Sequence, residues 1–120
     1  MVSIFHIAER SQWQAAEADG VYQHPSLQTE GFIHCSTAEQ VVWVANSFFR
    51  GQQGLVLLWI DSEQLGETLR YDEVEGVGAF PHVYGPIACN AVVQVLQFEP
   101  DADGTFALPQ DVGQGWSSNG

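Results

Sequence analysis

At 120 residues the chain is long enough for one core and too short for two, and with 45% hydrophobic residues it needs no metal or cross-link to fold. Its formal charge of −12, with three arginines (Arg10, Arg50, Arg70) and no lysine, argues against a nucleic-acid backbone or an anionic membrane as partner. A small anionic ligand stays open, since backbone amides and one arginine can hold it.

In chain order, Val2 to Ala8 is β-branched and aromatic and predicts an opening strand, with Ile4 and His6 on one face and Phe5 and Ile7 on the other. Ser11 and Gln14 have the spacing of a capping box, predicting a helix from about Gln12 to Asp19 that stops at Gly20. Val21 to Thr29 contains His24-Pro25-Ser26, and Pro25 makes it a loop. Phe32 to Cys35 is short and apolar, a strand end after Gly31. Ser36 and Glu39 then form a second capping box, opening a helix that reaches Arg50 with Val41, Val42, Ala45, Phe48 and Phe49 on its apolar face.

Leu55 to Ile60 is a continuous apolar run, predicting a strand buried on both faces and ended by Asp61. Asp61 caps a short turn through Leu65. Thr68 to Val74 reads as a strand with its acidic positions outward, and Gly76 to Pro86 as a proline- and glycine-rich loop. Ala91 to Phe98 alternates as a strand, and Asp103-Gly104 predicts a hairpin turn into Thr105 to Leu108. One domain over residues 1–109 and a fraying tail over 110–120 are expected. Two early helices followed mostly by strands give an α+β fold. The βαβ spacing is not sustained, and no glycine-rich fingerprint follows the first strand, which excludes a Rossmann-type domain.

Cys35 and Cys89 lack CxxC spacing and are expected as reduced thiols. Met1 to Ile7 has no basic region of a signal peptide, and no stretch approaches the roughly 18 apolar residues of a span, so a cytoplasmic protein is expected. No histidine pair has the spacing of zinc ligands, and no metal site is expected. His6, His34 and His82 sit in or beside apolar strands. His82 and Tyr84 lie in Phe80-Pro81-His82-Val83-Tyr84-Gly85-Pro86, a stretch stiff enough to fix polar side chains. Without a Gly-x-Ser-x-Gly elbow, Ser36 is not a hydrolase nucleophile. The acidic run Asp72, Glu73, Glu75 is a solvated face, or else turns one carboxylate into a cleft.

Glu30-Gly31-Phe32-Ile33-His34-Cys35-Ser36 and Phe80 to Pro86, together with Ile4-Phe5-His6-Ile7 and the strand end Leu57 to Asp61, resemble the bacterial family known as domain of unknown function 952. The resemblance runs from about Ile4 to Pro109. It implies a fold similar to the ADP-ribosyltransferases: two small, mainly antiparallel sheets around a cleft, with helices outside. In those relatives the cleft holds NAD. Gly31 to Thr37 resembles their Gly-Phe-Ile/Leu-Ser-Thr-Ser strand motif with His34-Cys35-Ser36 in place of Ser-Thr-Ser, and His6 falls where many place a His or Arg that orients NAD. The catalytic glutamate of the transferases has no clear counterpart; Glu73 and Glu75 are candidates by elimination.

The expectation is therefore an enzyme acting on NAD or another nucleotide-like or phosphorylated small molecule. Its catalytic candidates are His6, His34, His82 and Glu73, with Phe32, Ser36 and Tyr84 as ligand-binding residues. The alternative is a non-catalytic module, binding a small ligand or a partner protein, that kept the transferase-like fold and lost the catalytic glutamate. The two differ in whether a carboxylate reaches the histidines.

Overall fold

The structure is a computed structural model and describes residues 2–112. It is an α+β arrangement of antiparallel sheets with helices against them. The elements are β1 (Ser3–Glu9), α1 (Arg10–Asp19), β2 (Val21–Tyr22), the single turn α2 (Ser26–Thr29), β3 (Ile33–His34), α3 (Ala38–Phe48), β4 (Leu55–Asp61), β5 (Leu69–Val74), β6 (Gly78–Val83), β7 (Ile87–Ala88) and β8 (Val92–Gln97). Among the described residues they form three ladders rather than two: β1-β4-β8, β2-β7 and β3-β6-β5. In each ladder a strand that precedes α3 pairs with one that follows it: β1 with β4, β2 with β7, β3 with β6.

Within the first sheet β1 and β4 are buried on both faces, which is why β4 reads as an unbroken apolar run, while the edge strand β8 is largely exposed. Ile4, Ala8, Val56, Leu58 and Ile60 meet Trp13 and Ala16 of α1, Tyr22 and Ile33 on one side. Phe5, Ile7, Leu55, Leu57 and Trp59 meet Val41 and Ala45 of α3, with Phe98 and Phe106, on the other. Each fully buried aliphatic side chain contributes about 2 kcal/mol. The indole N–H of Trp59 donates to Ser3 Oγ at 2.7 Å, so its burial leaves no polar group unpaired. Val112 is fully buried in the second cluster and residues 110–112 are helical, so packing extends past Pro109. The rest of the expected tail lies outside the described residues.

Neither capping box forms where expected. α1 starts at Arg10 behind Glu9, with no side-chain cap. The Arg10 N–H instead donates to the Gly54 carbonyl at 2.9 Å, so the carbonyl just before β4 does what a cap would do. Gly20 closes the helix in the left-handed region at φ 83°, as its sequence position predicts. At α3 the box shifts by one residue to Thr37 and Gln40. Ser36 cannot cap because its backbone is spent on β1: Phe5 N–H donates to the Ser36 carbonyl at 2.7 Å and Ser36 N–H to the Phe5 carbonyl at 2.8 Å. Gln40 also donates from Nε2 to the Ala79 carbonyl at 2.7 Å, tying α3 to β6. Thr37→Ala is expected to cost about 1 kcal/mol in urea unfolding. Equal costs for Thr37→Ala and Ser36→Ala would contradict the shifted box.

The expected loop over Gly76 to Pro86 contains β6, the middle strand of the third sheet. Pro81 is tolerated there because the last bond toward the β3 side, from Cys35 N–H to its carbonyl at 3.0 Å, uses proline as acceptor and needs no N–H from it. The expected strand over Thr105 to Leu108 does not form. The Asn46 side chain takes its place as partner, accepting from Phe106 N–H at 2.7 Å and donating to the Phe106 carbonyl at 3.4 Å. The segment Ile33 to Ser36 is thus bonded to β6 on one side and β1 on the other, and α3 springs from its end. This seam sits at the edge of a large pocket.

Candidate functional site

The pocket has a volume of about 550 Å³, a size that suits a small organic ligand. All four histidines of the chain, His6, His24, His34 and His82, line it, with Ser36 beside them. Much of the remaining wall is aromatic or aliphatic, from Phe5, Phe32, Phe80 and the α3 side chains Trp43, Val44 and Phe48. Trp43 and Phe48 are exposed at the mouth, as are Val74 and Val77 from the β5–β6 hairpin.

His6, on β1, is 4% exposed, and both its ring nitrogens are engaged. Nδ1 lies 2.6 Å from the His34 carbonyl, which can only accept, so the proton sits on Nδ1. Burial holds the ring neutral, with its pKa lowered from 6.5 to about 4. Nε2 is therefore the acceptor for the Tyr22 hydroxyl at 2.8 Å. Burial raises the Tyr22 phenol well above its usual range, keeping it a donor. His6 thus bridges β1, β2 and β3.

His24 has the opposite tautomer. Its Nδ1 accepts from Ser26 N–H at 3.1 Å, with the Ser26 hydroxyl at 2.9 Å, which leaves the proton on Nε2 as a donor. Its pKa is lowered, first by burial and then by nearby His34. The ring stands edge-on to His6, with centroids 5.5 Å apart. His34 is about half exposed, and its Nε2 meets Glu30 Oε2 at 3.0 Å.

His82, on β6, lies directly across from His34 on β3, with ring centroids 5.4 Å apart. It is 6% exposed and stacks on Phe32, centroids 4.1 Å apart and planes at 20°. Its Nδ1 lies 2.8 Å from Asp72 Oδ2. The Tyr84 hydroxyl donates to the same oxygen, and Arg70 lies over the Tyr84 ring, 5.3 Å from its centroid. The Tyr84 hydrogen bond first, and the His82 bond second, hold the Asp72 carboxyl below its usual pKa. An ionised Asp72 fixes the His82 proton on Nδ1 and leaves Nε2 as a lone pair.

Of the residues expected from sequence, His6, His34, His82, Phe32 and Ser36 come together at one pocket. Tyr84 stands behind it, 39% exposed, holding Asp72. Glu73 does not join them: it pairs across from Ala79, alternates to the other face of β5 and is exposed. The carboxylate that reaches His82 is Asp72, on the face shared with Phe80 and His82. His24 was not among the expected site residues, and Asp72 was named only within the acidic run, where Glu73 was the candidate singled out. For Asp72 the signal lay in pairing Leu69–Val74 with Gly78–Val83 across the Glu75-Gly76 turn, a pairing that Pro81 disguises. For His24 there was no local signal, because the contact that matters is with β1. Among the described residues no group of three or more His, Cys, Asp or Glu side chains is arranged to hold a metal ion. No helix among them is long and apolar enough to cross a membrane.

Fold and site together define a small α+β domain built around one histidine-lined pocket. The chain belongs to the family described as Protein of unknown function (DUF952), whose model matches residues 7–95. It is similar to protein CC0527 from Caulobacter crescentus. The crystal structure of that protein is 37% identical with a TM-score of 0.86, over 92% of this chain and 98% of that one. Its solution NMR structure is 38% identical with a TM-score of 0.80, over 92% and 97%. None of the curated proteins compared with the chain matches it.

Proposed function

We propose that the pocket binds and transforms a small ring-bearing molecule, with His82 as the proton acceptor. The observation that carries this reading is the His82–Asp72 pair, which leaves His82 Nε2 as a base in a pocket with aromatic walls. In this reading Phe32, Phe80 and Trp43 hold the ring of the ligand. His24 offers it an N–H and His82 takes a proton from it. Tyr84 and Asp72 are positioning residues that set the His82 tautomer, and Phe32 fixes its plane by stacking. His6 acts at one remove, by holding the His34 backbone.

The finer likeness to ADP-ribosyltransferases, carried by Gly31 to Thr37, makes the nicotinamide end of NAD the first ring to test. It is flat, aromatic and bears an amide that can meet one donor and one acceptor. The experiment is an NMR titration of the full chain with NAD, nicotinamide, ADP-ribose and AMP. The expected result is shifts at the His24, His34 and His82 rings and the Trp43 indole with NAD and with whichever half of it carries the bound ring. No shift at millimolar concentrations with any of them would overturn the nucleotide form of the reading. A ligand that binds and is recovered unchanged after long incubation would identify a binding module instead, the reading in which His82→Gln alters no turnover because there is none.

A further inference from the structure

The charges around the polar end of the pocket have a consequence for what it accepts. His34 faces Glu30 at 3.0 Å and His82 faces Asp72 at 2.8 Å. Whatever the protonation of either ring, each pair sums to zero or minus one. His6 and His24 add no charge, since burial disfavours protonation of both. Glu9 is near enough for its charge to act on both Tyr22 and His24. None of the three arginines lines the pocket: Arg10 lies 4.0 Å from Glu99, Arg50 acts on Asp103, and Arg70, opposite His82 in the β5–β6 register, lies over the Tyr84 ring and spends its charge on Asp72. The aromatic faces of Phe32, Phe80 and Trp43 add the negative side of their quadrupoles. An anion entering this end would lose water and meet no arginine in the lining, only histidines already held by carboxylates.

We infer that the pocket selects by charge, taking a ring-bearing ligand whose polar group is uncharged or cationic and rejecting its anionic counterpart. The inference rests on the ligand-binding reading above and narrows it: a phosphate on the ligand stays outside, at the mouth rimmed by Trp43, Phe48, Val74 and Val77.

The test uses three probes that share one ring and differ in charge: benzylamine, benzamide and benzoate, titrated at pH 7 and followed at the His24 and His82 rings and the Trp43 indole. Benzylamine and benzamide are expected to bind at least about tenfold more tightly than benzoate. Glu30→Gln, at an exposed position, and Asp72→Asn are each expected to narrow the ratio of benzylamine to benzoate affinity by about threefold. Benzoate binding as well as benzamide would overturn the inference while leaving the pocket a ligand site. A ratio unmoved in both variants would overturn its electrostatic basis. If no probe moves any pocket signal, the ligand-binding reading fails, and the charge selection with it.

Discussion

Replacing His6 with phenylalanine is expected to lower the unfolding free energy by ~2–6 kcal/mol at pH 7. A ring still fills the site, so no cavity opens and the loss is not one of cavity formation. What disappears is the partner of two buried groups, the Tyr22 hydroxyl and the His34 carbonyl. Tyr22 is fully buried, so its hydroxyl has no water to turn to. A buried polar group left without its partner costs about 1–3 kcal/mol, which sets the range for two. Urea unfolding of the wild type and His6→Phe measures it. Tyr22→Phe added to His6→Phe should recover part of the loss, because it removes the orphaned hydroxyl. A cost below about 1 kcal/mol for His6→Phe would mean that the bridge between β1, β2 and β3 contributes little.

The same residue predicts a loss of stability in mild acid. In the unfolded chain His6 titrates near its ordinary value of 6.5; in the folded chain burial lowers it to about 4. Between those values the unfolded state binds a proton that the folded state refuses, so unfolding becomes easier as the pH falls. The contribution is complete above the unfolded pKa and has been lost once the pH reaches the folded one. At about 1.4 kcal/mol per unit this amounts to ~3 kcal/mol, roughly 2 of it by pH 5. His24, also lowered by burial, adds in the same direction. Asp72 and Asp103, whose folded pKa values lie below 3.8, lose their contributions only in stronger acid. Urea midpoints at pH 7.5, 6 and 5 therefore isolate the histidines. The wild type should fall steeply over that range and His6→Phe much less. Parallel slopes for the two proteins would show that the acid sensitivity lies elsewhere.

The sequence carried the first sheet plainly, because Leu55 to Ile60 has no residue that would tolerate water, and it is buried on both faces. It misplaced both helix starts for one reason: Ser11 and Ser36 have the chemistry of caps, but long-range backbone bonds from Gly54 and Phe5 had already claimed the positions. It hid β6 behind Pro81, whose ordinary meaning as a strand breaker fails where only its carbonyl is needed. That error carried Asp72 with it, since the strand expected over Thr68 to Val74 was left without the partner that decides which acidic position turns inward, and pairing with Phe80 decides it. The convergence of His34 and His82 is a matter of β3–β6 register, written in no local spacing. His24 reaches the pocket because β2 pairs with β7, two residues on each side.

The pairing of each early strand with a late one has a consequence for how the protein is made. As the chain leaves the ribosome, β1 has no partner until Leu55–Asp61 emerges, β3 none until Gly78–Val83, and β2 none until Ile87–Ala88. Local contacts cannot reward an early start, so the ordering entropy of the strands before α3 is recovered only when those after it arrive. The four histidines meet at that same late step, and the pocket comes into being with the whole domain.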